Sequence, residues 1–230
     1  TINIQGNFVG ACLSTGNTAA VAGNFNGINI SGLATGLSIT SNTIGNGTTD
    51  NCRAGTSTLT TGNSFAVGIH MPSAVTFTNV VVSNNFIQNI SSYGTGTGCF
   101  IRGIATASSS ATGIYSIANN TITNLTTNSS NVAVTTGQVG AVGILLATGT
   151  TCTVSGNYIS NIANTGTSTL HVVVAGLSNA NGTNTVVRFN LVWGLSNTSP
   201  GTTITGPPVA CGFFIRSGTS GLLIHNNMIS

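Results

Sequence analysis

The chain has 230 residues but only five charged side chains, Asp50, Arg53, Arg102, Arg188 and Arg216, with no lysine and no glutamate. One acid excludes a two-carboxylate glycoside hydrolase, and four scattered arginines at a net charge of +3 make no phosphate-neutralising patch for nucleic acid. Gly, Thr, Asn and Ser supply just over half of the sequence, yet a 40% hydrophobic content and the scarcity of charge set it apart from disordered chains.

A single domain with a buried core is expected at this length. The longest apolar run, Val139 to Ala147, contains two glycines and is too short to cross a bilayer, so no membrane insertion is expected. The first residue is Thr1, with neither an initiator Met nor a signal peptide, so the chain reads as a processed product or an excerpt.

Taken in chain order, one motif recurs. It has an apolar residue five before a central Asn, another three before, and Ile or Val two after. The first copy runs Ile2 to Val9, followed by Leu37 to Ile44, Val80 to Ile87, Tyr115 to Ile122, Cys152 to Ile159, Thr185 to Val192 and Leu222 to Ile229. The central residues are Asn7, Asn42, Asn85, Asn120, Asn157, Asn190 and Asn227, at gaps of 35, 43, 35, 37, 33 and 37. Five after the Asn come Cys12, Gly47, Ile90, Leu125, Ile162 and Leu195. A second signature lies 14 to 17 residues before each Asn from the second onward: Gly27-Ile28, Gly68-Ile69, Gly103-Ile104, Gly143-Ile144, Gly176-Leu177 and Gly212-Phe213.

Apolar residues at spacing two, with no helical periodicity, make every element a short strand. Short strands at a near-constant period predict an all-β parallel β-helix of about seven turns of roughly 37 residues, three strands per turn, in one domain over 1–230. The Asn is expected at the corner, because Asn tolerates the left-handed backbone. Stacked one strand spacing apart, the seven Asn side chains are expected to bond one another as a ladder. The residue before each Asn is also turn-like, with Phe189 the exception. Segments such as Gly47 to Ser64 and Thr126 to Gly140 read as Thr/Ser/Gly/Asn loops.

The motif, as in Asn-Tyr-Ile-Ser-Asn-Ile (Asn157 to Ile162) or Asn-Phe-Ile-Gln-Asn-Ile (Asn85 to Ile90), resembles the right-handed parallel β-helix repeats of pectate-lyase-like proteins, especially large tandem-repeat surface proteins secreted by bacteria. The resemblance covers essentially the whole chain and implies an extracellular or cell-surface location. Enzymes of that superfamily use acidic clusters, and Asp50 alone answers to none of them, so no active-site residue carries over.

Alternation points the residue after each Asn outward. Phe8, Phe86, Tyr158, Leu191 and Met228 then form a stripe, interrupted by Thr43 and Thr121, with Trp193 on the same face. Three readings stand: a contact to another solenoid, a platform for surface glycans, or a face covered by the chain's own loops. An ice-binding array of Thr-x-Thr fits at Thr121-Ile122-Thr123 and fails on most other turns.

Cys12, Cys52, Cys99, Cys152 and Cys211 lack metal-ligand spacing, so no metal or cofactor is expected; a Cys12–Cys52 bridge is one option in an oxidising compartment. Cys152 falls on a core position. His70, His171 and His225 support no triad, and the Asn-x-Ser/Thr sequences at Asn46, Asn89, Asn124, Asn128, Asn181 and Asn197 follow from composition. The chain begins and ends inside motifs with no polar cap, an edge that invites further turns or end-to-end stacking. The expectation is a non-enzymatic extracellular filament or adhesive stalk that self-associates, with a carbohydrate-binding or carbohydrate-degrading module as the alternative.

Overall fold

The computed structural model describes residues 1–15, 21–32, 34–56, 62–72, 77–94, 96, 98–106, 113–129, 139–147, 151–166, 172–180, 184–198, 210–215 and 220–230. His171, Asn181 and Arg216, singled out above, lie outside them. All regular structure among the described residues is strand.

The chain coils. Its first turn holds β1 (Ile2–Gln5), β2 (Phe8–Val9), β3 (Cys12–Ser14) and β4 (Val21–Asn29), and its second β5 (Ala34–Thr40), β6 (Thr43–Ile44), β7 (Cys52–Ala54) and β8 (Asn63–Met71). Each later turn has three strands: β9 (Phe77–Ser83), β10 (Phe86–Ser92) and β11 (Phe100–Thr106); β12 (Ile114–Ala118), β13 (Thr121–Thr127) and β14 (Ala141–Leu146); β15 (Thr151–Ser155), β16 (Tyr158–Asn164) and β17 (Val174–Asn179); β18 (Thr185–Arg188), β19 (Leu191–Asn197) and β20 (Ala210–Ile215). Two strands remain, β21 (Leu223–His225) and β22 (Met228–Ile229).

Strands before the Asn make the first sheet, β1-β5-β9-β12-β15-β18-β21. Strands after it make the second, β2-β6-β10-β13-β16-β19-β22, joined by β3 and β7, and the Gly-Ile strands make the third, β4-β8-β11-β14-β17-β20. The pairings are parallel throughout, as in β12 against β15 and β13 against β16. The fold is therefore an all-β parallel solenoid with three sheets. Among the described residues the third sheet has six strands, so about five full turns run from β4 to β20, with partial turns before and after them, where about seven were expected.

The core is built from residues that repeat in register. Ile39, Val82, Ile117, Val154 and Val187 line the first sheet, Ile44, Ile87, Ile122, Ile159 and Val192 the second, and Ile69, Ile104, Ile144 and Leu177 the third, all fully buried. Each such side chain contributes about 1.5–3 kcal/mol of burial, and the β-branched majority suits the stacked pleat. Cys152 belongs to this core, and Cys12 is partly buried against it.

Two expectations about the coil need correction. Gly47 does not continue the apolar series five after the Asn: Cys12 pairs in register with Cys52, and Cys52 with Ile90. The second turn is longer: Gly45 to Asn51 stand between β6 and β7, where the first turn has only Gly10 and Ala11 between β2 and β3. The segment Gly47 to Ser64 is accordingly not all loop, since it contains β7 and the start of β8.

Candidate functional site

The central Asn residues form one continuous ladder. From Asn7 through Asn42, Asn85, Asn120, Asn157 and Asn190 to Asn227, each side-chain amide nitrogen donates to the side-chain oxygen of the next Asn at 2.9–3.0 Å. The backbone N–H of each donor residue reaches the same oxygen at 2.9–3.0 Å. From Asn42 onward the amide also donates backward, to the carbonyls of Ile4, Ile39, Val82, Ile117, Val154 and Val187, at 2.9–3.0 Å. The five inner residues, Asn42 to Asn190, are at most 2% exposed. Buried amides that satisfy both ends of every group cost little and specify the stacking register.

The corner itself differs from the expectation. Left-handed backbone falls on the residue before each Asn: Gly6, Ser41, Asn84, Asn119, Gly156, Phe189 and Asn226 have φ of 53° to 67°. The ladder Asn is thereby released from turning the chain, and its side chain is free to point inward along the stack. Phe189, at φ 55°, adopts this conformation against the preference of a bulky side chain.

A second row of left-handed residues bends the second sheet. Asn89, Asn124, Asn161 and Gly194, each four after a ladder Asn, have φ of 51° to 65°. Asn161 donates to Asn124 and Asn124 to Asn89, both at 3.1 Å, and Asn89 donates to the Asn46 carbonyl. The sequence carries the signal for this outer ladder, because an Asn stands at a constant offset in the repeated Asn-x-Ile-x-Asn-Ile, but only the central Asn was read from it.

The bend leaves a groove of about 400 Å³ on the outside of the coil, lined by Thr49, Asp50, Asn89, Ser91, Asn124, Thr126, Asn161, Ala163, Gly194 and Ser196. Asp50 stands in its wall. Ser91 donates to that carboxylate, and the Tyr93 hydroxyl lies 3.0 Å from each of its oxygens. Burial, reinforced by the Asp50 contact, raises the Tyr93 pKa. The groove thus offers amides, hydroxyls and one carboxylate.

Beside the groove runs the stripe. Phe8, Thr43, Phe86, Thr121, Tyr158, Leu191 and Met228 succeed one another in unbroken register. Phe8 is 65% exposed, Phe86 38%, Tyr158 36% and Met228 62%, so the stripe is an open face and not one buried under loops. Leu191 is half-buried, and Trp193, 38% exposed, meets Tyr158 edge-on at 6.2 Å between ring centroids.

A covered apolar surface exists elsewhere, on the outside of the third sheet, where the sequence reading placed nothing. Val67, Ala105, Val142, Leu145 and Ala175 form a second buried cluster with Val139 and Val173, flanked by Phe65 and Phe100. Phe65 stacks on Phe100 at 5.1 Å, and the Arg102 guanidinium carbon lies 3.9 Å above the Phe100 ring. Burial lowers the Arg102 pKa to about 10. It also lowers that of His70, with the charge of Arg102 adding to the effect.

The thiols are free. Burial pushes Cys152 up to about 12 and Cys211 to about 11, and it raises Cys52 as well, which keeps them protonated and unreactive. His225 closes β21, with its ring 6.0 Å from that of Phe189. No protein-family model, no curated protein and no solved structure matches the chain.

Proposed function

We infer that the chain is a structural segment of an extracellular or surface-displayed rod and has no catalytic role. The observation that carries this reading is the Asn ladder, in which every inner rung is bonded to the rung on either side. Such a solenoid is stabilised by nearest-neighbour contacts and lengthens by adding turns. The chemistry agrees: the chain has a single carboxylate, Asp50, and its neighbours in the groove are neutral hydroxyls and amides, which leaves no acid–base pair to divide between two catalytic roles. Low charge also suits a surface polymer, where mutual repulsion between copies has little use.

Antibody labelling of intact cells that make the protein, with electron microscopy of the labelled material, tests the proposal. Label on rods with an axial repeat near 4.8 Å is the expected result. Label confined to the cell interior overturns the location. Polysaccharide turnover by the purified chain, abolished by Asp50→Asn, overturns the structural role in favour of a carbohydrate-degrading enzyme.

A further inference from the structure

We propose that the outer face of the second sheet binds a neutral β-1,4-linked glycan, laid parallel to the coil axis. This goes beyond the structural role, which stands with or without a ligand. Residues alternate along the stripe: Phe8, Phe86 and Tyr158 occupy the first, third and fifth rungs, and Thr43 and Thr121 the rungs between. With one strand spacing per rung, successive rings are about 9.6 Å apart. In an extended β-1,4-linked glycan each sugar is turned over relative to its neighbour, so the same ring face recurs once per disaccharide, a step of about that length. Every second sugar can therefore rest its apolar C–H face on an aromatic ring.

Register makes the match extend over several turns. The column never slips between β2 and β22, and an uninterrupted side-chain ladder is the kind of feature that keeps a many-stranded sheet from twisting its rows apart. Alongside, the groove supplies polar partners. Asn124 and Asn161 each commit one amide N–H to the outer ladder, and the second N–H of each is available to a sugar hydroxyl, with Thr126 beside them. Hydroxyls accept and donate, as do these groups, so the surface is complementary without charge. Asp50, the one charged residue in the groove wall, disfavours acidic sugars, which points to a neutral glycan over a polyuronate.

The test uses the whole chain. Retention on microcrystalline cellulose and on chitin is measured by sedimentation, and calorimetry with soluble cello- and chito-oligosaccharides gives affinity, with amylose as the α-linked control. Retention on a β-1,4 glycan but not on amylose is expected, with Phe86→Ala and Tyr158→Ala each weakening binding about tenfold. Both positions are on the surface, and matching circular dichroism and thermal midpoints verify that the variants fold. Absence of binding to either polymer, or binding unchanged in both variants, overturns the proposal. Concentration-dependent association of the chain, lost in the same variants without any glycan binding, also overturns it and assigns the face to a second copy.

Discussion

Gly103 and Ile122 meet across the coil so closely that a Cβ built on Gly103 would lie 2.6 Å from Cγ2 of Ile122 and 2.5 Å from the carbonyl oxygen of Gly143. The same relation joins Gly27 to Ile44, Gly68 to Ile87 and Gly143 to Ile159. The Gly-Ile signature and the Ile or Val two after each Asn are thus two halves of one contact. Neither the backbone oxygen nor a fully buried isoleucine yields cheaply. Gly103→Ala is expected to destabilise by about 1–3 kcal/mol, as overpacked cores do; a denaturation midpoint equal to that of the parent would contradict the contact.

Asn120 receives the Asn85 backbone and side-chain N–H groups and gives its own to Asn157 and Val82. Asn120→Ala strands several of these groups in a site that is 0% exposed, and each stranded group costs about 1–3 kcal/mol. Asn7→Ala, at the exposed end of the ladder, leaves Asn42 buried with its bonds to Asn85 and Ile4 intact. Chemical denaturation of the two variants is expected to show a much larger loss for Asn120→Ala. Equal losses would show that the ladder does not stabilise the rod.

Phe189 holds φ at 55° where other rungs place Gly, Ser or Asn. The residue is 58% exposed, and its ring meets the edge of His225 and lies 5.8 Å from the Arg188 guanidinium carbon, so replacement gives up little packing. Phe189→Asn is expected to stabilise by about 1 kcal/mol, most of the cost of a left-handed residue. A lower thermal midpoint would mean that the ring contacts outweigh the backbone strain.

His70 sits on the outside of the third sheet beside Arg102, with its pKa lowered from 6.5 by burial and by that charge. The unfolded chain therefore takes up the proton first. Stability is full above pH 6.5 and is lost progressively as pH falls from there through the lower native value. Thermal midpoints at about pH 7.5 and about pH 5.5 are expected to differ less in His70→Gln than in the parent. An identical pH slope in the variant would remove His70 as the cause.

Much of this was legible from periodicity alone. Apolar residues at spacing two state which side chains face inward, and a recurring Asn flanked by β-branched residues states where turns stack. The parallel three-sheet solenoid, the inward rows and the outward stripe follow from those local patterns. The long second turn was misread because nothing in Gly45 to Asn51 says where the chain re-enters the sheet. Register with the next turn, Cys52 against Ile90, decides that.

The sequence by itself determined the repeat, the strand type and the facing of the residues immediately around each central Asn, since these depend on neighbours a few positions away. The tertiary structure decided which residue of each corner takes the left-handed conformation, where the second sheet bends and what lies in the groove. It also decided that Tyr93 closes on Asp50, 43 residues earlier, and that an apolar cluster packs on the outside of the third sheet. These depend on backbone hydrogen bonds between successive turns, which bring distant segments into contact at a register that local patterning leaves open.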